Sequence, residues 1–255
     1  MLLLGGMALF SQSASGQGRA VRTPVRLEVA VEDEADPWSR KDGNGYANDI
    51  VRAAFAAANV DAHLVVTPYA RCKQMVVQGS VVACFSMSPY PRQSDHVIFA
   101  PKPLFVIHSV LIERADSTAS APSAAGKAVA KRVGVVRGYE YPDPVYRFEA
   151  SGAAVFDYSA SEAINLRKLM ARRLDAVLVN LDKMKTLPHV LALAGVTGKV
   201  RRSMDFGDMR AYLGFSRKHP QSQWALARYT EGLALISENG EADRIRVEWE
   251  RRVPK

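Results

Sequence analysis

In the stretch ACFSMSPYPRQSDHVIFA, residues 83–100, a single guanidinium, Arg92, stands in a turn of serines and prolines between two apolar runs. A planar guanidinium can hold a carboxylate through two parallel hydrogen bonds, a geometry that lysine does not reproduce. On the residues alone Arg92 is either a solvated turn residue or the anchor of an acidic ligand. Ser86 and Ser88 lie close enough in the chain to line the same pocket or to cap the turn at 89–95. Trp38, in the segment DEADPWSRK, either stacks on a bound molecule or covers a rim. His63, His96, His108, His189 and His219 are dispersed, none has a nucleophilic partner at motif spacing, and no HExxH, P-loop or GxSxG occurs. Cys72 and Cys84 lack a histidine or third thiol at ligand spacing, so neither a metal nor a cofactor is expected. The pair reads either as a bridge formed in an oxidising compartment or as two small buried residues.

These groups need a scaffold, and the hydrophobic pattern describes one. RLEVAV reads as a strand, ANDIVRAAFAAANV as a helix with Asn48 or Asp49 as its cap, and AHLVVT as a second strand. YARCKQMVVQG follows as a helix ended by Gly79, and VVACF as a third strand. This alternation predicts an α/β sheet built by crossover connections, whose ligands sit beyond the carboxyl ends of the strands, where residues 86–92 fall. After the polar stretch RADSTASAPSAAGKAVA the alternation restarts. KRVGVV, AAVFDY, DAVLV and MRAYLGFSRK read as strands, and PDPVYRFEA as a short helix. SASEAINLRKLMARR reads as a helix capped by Ser159 or Ser161, and LDKMKTLPHVLALAG as one interrupted by Pro188; two amphipathic helices close the chain.

The 255 residues, 48% hydrophobic and 24% charged, suit one large or two ordinary globular domains. The net charge of +8 is scattered and no basic helix or interleaved aromatic motif is present, so nucleic acid is not an expected partner. MLLLGGMALFSQSASG has an apolar run and a small-x-small site at Ala14–Gly16, and residues 1–16 read as a secretory signal peptide that lacks a basic start.

Six stretches in order, across nearly the whole chain, resemble the extracellular solute-binding proteins of family 3, the polar amino-acid receptors of bacterial ABC importers. They are GNGYANDIVRAAF, MVVQGSVVACFSM, SPYPRQSDHVIFAPKPL, RVGVVRGYEY, LMARRLDAVLVNLD and the closing YLGFSRKHPQSQWALARYTEGLALISENGEADRIRVEWE. The resemblance implies a two-lobed type II periplasmic-binding-protein fold with a hinge and a central cleft. Lobe 1 would comprise 24–106 plus 211–255 and lobe 2 would comprise 107–210, with crossovers near Phe105–Ile107 and Met209–Ala211. It further implies that Arg92 holds a solute carboxylate, that Ser86, Ser88 and Trp38 line the site, and that Gly138 and Tyr139 stand where the family has Gly-Thr. Asn180 falls where the amino-acid receptors carry an aspartate for the solute ammonium; an amide keeps the shape and loses the charge. Asp182 stands two residues further on. The expected function is therefore capture of a small carboxylate-bearing solute in the periplasm, without catalysis, with an ABC-transporter permease as partner. A stand-alone sensory or accessory receptor of the same fold is the alternative, and a cleft enzyme such as a dehydratase is a more remote one, since the acidic residue it would need has no counterpart at Asn180.

Overall fold

The computed structural model describes residues 23–89, 95–117, 129–196 and 199–253. The expected signal peptide and Arg92 lie outside these residues.

The chain begins with β1 (Val25–Glu32), the short β2 (Glu34–Ala35) and β3 (Ser39–Arg40), then α1 (Tyr46–Ala57) and β4 (Val60–Thr67). Strands β1 and β4 pair in parallel from Val25↔Val60 to Glu32↔Thr67, so α1 is their crossover; its apolar residues Ile50, Val51, Ala54 and Phe55 are buried. The expected cap at Asn48 or Asp49 is corrected: the helix starts earlier, with Gly45 at the cap position. Asn48 Nδ2 instead donates to Ser39 Oγ at 2.9 Å and Asp49 accepts from Trp249 Nε1 at 2.8 Å, so both residues tie α1 to its surroundings.

Helix α2 (Tyr69–Gln78) ends at Gly79 in the left-handed conformation, as its sequence requires, and leads into β5 (Ala83–Met87) beside β1. Cys72 and Cys84 form a disulfide with Cα atoms 5.8 Å apart, which fastens α2 to β5. Serine at both positions should cost about 3 kcal/mol, readable as a lower urea midpoint.

β6 (Val97–Phe99) and β7 (Phe105–Arg114) follow, then β8 (Lys131–Val136), α3 (Asp143–Ala150), β9 (Ala154–Ser159), α4 (Glu162–Met170) and β10 (Ala176–Leu181). Ser161 caps α4 by accepting from the Ile164 amide. The expected interruption at Pro188 is also corrected. α5 (Leu187–Ala194) begins there, with Thr186 as cap and Pro188 in the first turn, where its missing N–H costs nothing. The chain closes with β11 (Val200–Ser216), α6 (Ser222–Glu238) and α7 (Glu241–Arg252).

The strands run in the order β4-β1-β5-β11-β7-β10-β8-β9, with β6 also on β11. Strand β11 is shared by the two halves: Val200–Ala211 pairs antiparallel with β7, and Tyr212–Phe215 pairs with β5. Two cores sit on either side of this shared ribbon. One gathers β1, α1, α6 and the end of β11 around Phe55, Phe85, Phe215 and Tyr229; the other gathers β7, β10, α4 and α5 around Ile112, Leu166, Leu174 and Val179. The result is a two-lobed α/β fold with mixed sheets, of the type II periplasmic-binding-protein architecture.

Candidate functional site

Both lobes send polar side chains to the gap between them, and the sequence explains how each arrives. Strand β1 is buried on both faces from Val29 onward and ends on Glu32, which is only 2% exposed. Pro68 precedes Tyr69, and one turn later Lys73 projects from the same face of α2. Ser86 has a φ of 65°, a conformation rare for a residue with a side chain, and its carbonyl accepts from Tyr69 Oη at 3.0 Å. In the opposite lobe the turn after β8 presents Gly138, Tyr139 and Glu140, the start of α4 presents Glu162, and the end of β10 presents Asn180, Asp182 and Lys185.

These groups meet in pairs across the gap. Tyr139 Oη donates to Glu32 Oε1 at 2.5 Å, and Tyr69 Oη donates to Glu140 at 2.7 Å. Lys73 pairs with Glu140 at 2.5 Å and donates to the Gly138 carbonyl at 2.7 Å. Gly138 has a φ of +87°, strained for any other residue, and a Cβ there would lie 3.0 Å from Ala70 on α2, so the two lobes approach closely where the side chain is absent. Trp38, 1% exposed, lies stacked on Phe105 at 4.4 Å and donates from its indole to Asp182 at 2.8 Å. Its ring also carries the Lys185 ammonium 4.4 Å from its centroid, and that ammonium is paired with Glu162 at 2.5 Å. At the rim, His189 meets Asp36 at 2.8 Å.

The electrostatics follow from burial. Glu32 is pushed up to about 8 by desolvation, against the lowering effect of the Tyr139 hydroxyl and the Lys185 charge, so at neutral pH it is largely the neutral acid. Tyr69 and Tyr139 lie well above the ordinary phenol range, through burial and neighbouring glutamates. Asp182 is raised by burial even though two backbone amides and the Trp38 indole donate to it. Burial alone would raise Asp36 too, but hydrogen bonds from His189 and Arg40 hold it below the usual carboxylate range.

Trp38, Ser86, Tyr139 and Asn180, all expected from the sequence, come together here with Tyr69 and Glu140 around a small chamber backed by Ile107 and Met209 on the ribbon. Its free volume is only about 10 Å³, room for one water molecule. Gly138 contributes its carbonyl, as above. Ser88 is turned away: its Oγ donates to the Arg210 carbonyl at 2.8 Å, and it borders a separate outer groove with Val106 and Tyr212. Asn180 accepts from Ser109 Oγ at 2.6 Å, while Asp182 serves as acceptor for the turn after β10 and for Trp38.

Sequence reasoning missed Glu32, Tyr69, Lys73, Glu140, Glu162 and Lys185. A charged residue following the apolar run Val29, Ala30 and Val31 marks Glu32, but the others look like surface residues until the lobes are brought together. Among the described residues no cluster of His, Cys, Asp and Glu could hold a metal ion, and no helix is long and apolar enough to cross a membrane.

The architecture is that of type II periplasmic binding proteins, and comparison with solved structures shows how far the likeness extends. A histidine kinase sensor domain with similarity to periplasmic binding proteins superposes with a TM-score of 0.71 at 17% identity, over 89% of this chain and 96% of that one. An ancestral arginine-binding protein bound to arginine gives 0.70 at 17% identity, over 89% and 99% of the two chains. The GluR0 ligand-binding core from Nostoc punctiforme in complex with L-glutamate gives 0.68 at 15% identity, over 88% and 98%. No family model matches the sequence, and no curated protein matches it. At these identities the likeness is one of fold.

Proposed function

We propose that this chain is a periplasmic solute-binding protein that captures a small carboxylate-bearing solute between its lobes and presents the loaded form to an ABC-transporter permease. The lobes proposed are residues 24–106 plus 211–255 and residues 107–210, flexing on the β7–β11 ribbon. One observation carries the reading: polar groups from both lobes, Tyr69 and Ser86 on one side and Tyr139, Glu140 and Asn180 on the other, converge on one chamber at the hinge. Closed as it is, the chamber holds no more than a water molecule; with the lobes parted, the same convergent groups suit a small polar molecule. The solved relatives of this fold that hold arginine or L-glutamate bind molecules with a carboxylate.

Arg92 is proposed to hold the solute carboxylate, with Ser86 and Trp38 beside it; Ser88 supports the wall from behind. Asn180 supplies no charge for an ammonium; Glu32, buried in the same cleft and largely neutral in the solute-free form, supplies from the other lobe a carboxyl group that an incoming ammonium would ionise. A zwitterionic or aminated acid therefore fits the reading better with Glu32 included than on Asn180 alone.

The test is a thermal-shift screen of the mature chain against amino acids, other small carboxylates and amines. A carboxylate-dependent rise in Tm, lost with Arg92→Ala, is expected, because a ligand that binds only the native state stabilises it by mass action. Hydrogen bonds to charged groups contribute about 1.5–3 kcal/mol, so that substitution should weaken binding at least tenfold. No shift with any carboxylate, or one untouched by the substitution, would remove the proposed anchor. The likeness to a histidine kinase sensor domain favours a second reading, a receptor that signals closure without an importer. It predicts the same binding and no uptake defect when the chain is deleted.

A further inference from the structure

The chamber at the hinge is nearly full, and what fills it is the protein itself. The Tyr139 ring packs partly against the cores of both lobes, lies edge-on to Tyr69 at 5.2 Å, and reaches Glu32 on the far side. With about 10 Å³ left, no amino acid fits while that ring is in place. Around it the polar partners of each lobe are drawn from the other: Tyr69 and Lys73 on Glu140, Trp38 on Asp182, Asp36 on His189.

We propose that Tyr139 is an internal occupant of the solute cleft that, with Glu32 as its acceptor, latches the lobes shut in the absence of solute, so that solute enters only after this contact is broken. Rigid closure over an empty cleft would leave buried donors and acceptors unpaired, a heavy penalty; here the cross-lobe pairs satisfy them. Burial keeps Glu32 largely as the neutral acid, which lets its carbonyl oxygen accept from the tyrosine without a buried charge needing a cation. The groups that face it are Tyr139 in direct contact and, more distantly, Lys185, Glu162 and Asp33. Breaking this one contact leaves Glu32 without its tyrosine partner in the closed form, whereas in the open form water solvates it. The open form therefore gains population.

This inference rests on the cleft being the solute site, but its test uses no solute. Gln223 on α6 and Arg173 after α4 are exposed and belong to opposite lobes; replaced by cysteine, they accept paired spin labels. The two native cysteines are bridged, so the introduced thiols are the only free ones. The chain is unfolded in denaturant with its disulfide intact, dialysed, refolded and shown by mass spectrometry to carry no small molecule. Pulsed dipolar spectroscopy should then give a single short interlobe distance. Tyr139→Phe, which keeps the ring and removes the hydroxyl, should move most of the distribution to longer distances, and so should Glu32→Ala, which removes the acceptor from the other side. Tyr158→Phe, on exposed β9, should leave it unchanged. A long distance in the solute-free parent, or short distances in both the Tyr139→Phe and Glu32→Ala chains, would overturn the latch. Failure to find any solute would overturn the function proposed above and leave this result standing.

Discussion

Raising the pH from 5 to 9 is expected to destabilise the solute-free protein, and Glu32→Gln is expected to remove most of that dependence. The sign follows from proton uptake. Glu32 titrates near its ordinary value of 4.5 when the chain is unfolded and at about 8 in the closed fold, so the folded state binds the extra proton between those values. Its contribution is most favourable below 4.5, is lost progressively as the pH rises toward 8, and stays lost above it. A displacement of this size corresponds to about 5 kcal/mol at 1.36 kcal/mol per unit. Asp182, also raised by burial, acts in the same direction. Asp36 acts oppositely, since its depressed value gives stability that is lost on acidification, below the window in question. Glutamine keeps the carbonyl acceptor for Tyr139 without a titrating proton. Urea unfolding at pH 5, 7 and 9 therefore separates the two chains: the parent falls steeply and the variant stays nearly level. Parallel profiles would show that Glu32 is not the buried acid responsible.

The second large effect is expected at Lys185. Its side chain is 3% exposed, pairs with Glu162 at 2.5 Å and rests on the Trp38 ring, while Glu162 also accepts from the backbone N–H of Asn180 at 2.7 Å. Lys185→Met strands a buried carboxylate, which costs about 3–5 kcal/mol when a buried pair is broken from one side. In a chain of this length that is roughly 10 °C in Tm. The double variant Lys185→Met with Glu162→Gln should recover most of the loss, because removing both charges removes the desolvation problem as well. Scanning calorimetry of the three chains checks both statements. An equal deficit in the single and double variants would assign the effect to lost packing against Trp38.

Much of the architecture was legible because it depends on local pattern. The alternation in RLEVAV, the Gly79 stop and the amphipathic closing helices each express a preference that tertiary packing reinforces. The first half of β11 was not legible, since Val200–Asp205 is mostly exposed and carries no apolar alternation; it is held by pairing to β7. The cap expected at Asn48 or Asp49 failed because the helix starts earlier and both side chains are recruited elsewhere, Asn48 by the loop just before it and Asp49 by Trp249, distant in the chain. Within the site, Trp38, Ser86, Tyr139 and Asn180 could be placed by resemblance to family segments. Glu32, Lys73, Glu140 and Lys185 could not, because their roles arise from pairing between elements more than a hundred residues apart or across a cleft that sequence does not reveal. The departure at Tyr139 is the informative one, since its ring lines the chamber and its hydroxyl reaches Glu32 on the other lobe.

The most direct measurement is a calorimetric titration of the mature chain with the solute giving the largest thermal shift, followed by chromatography of the recovered solute. The account predicts one site per chain, affinity in the micromolar range or tighter, an unchanged solute, and at least tenfold weaker binding with Trp38→Ala. A chemically altered solute, or affinity indifferent to both Trp38→Ala and Arg92→Ala, would contradict the claim that this cleft captures and releases a small carboxylate.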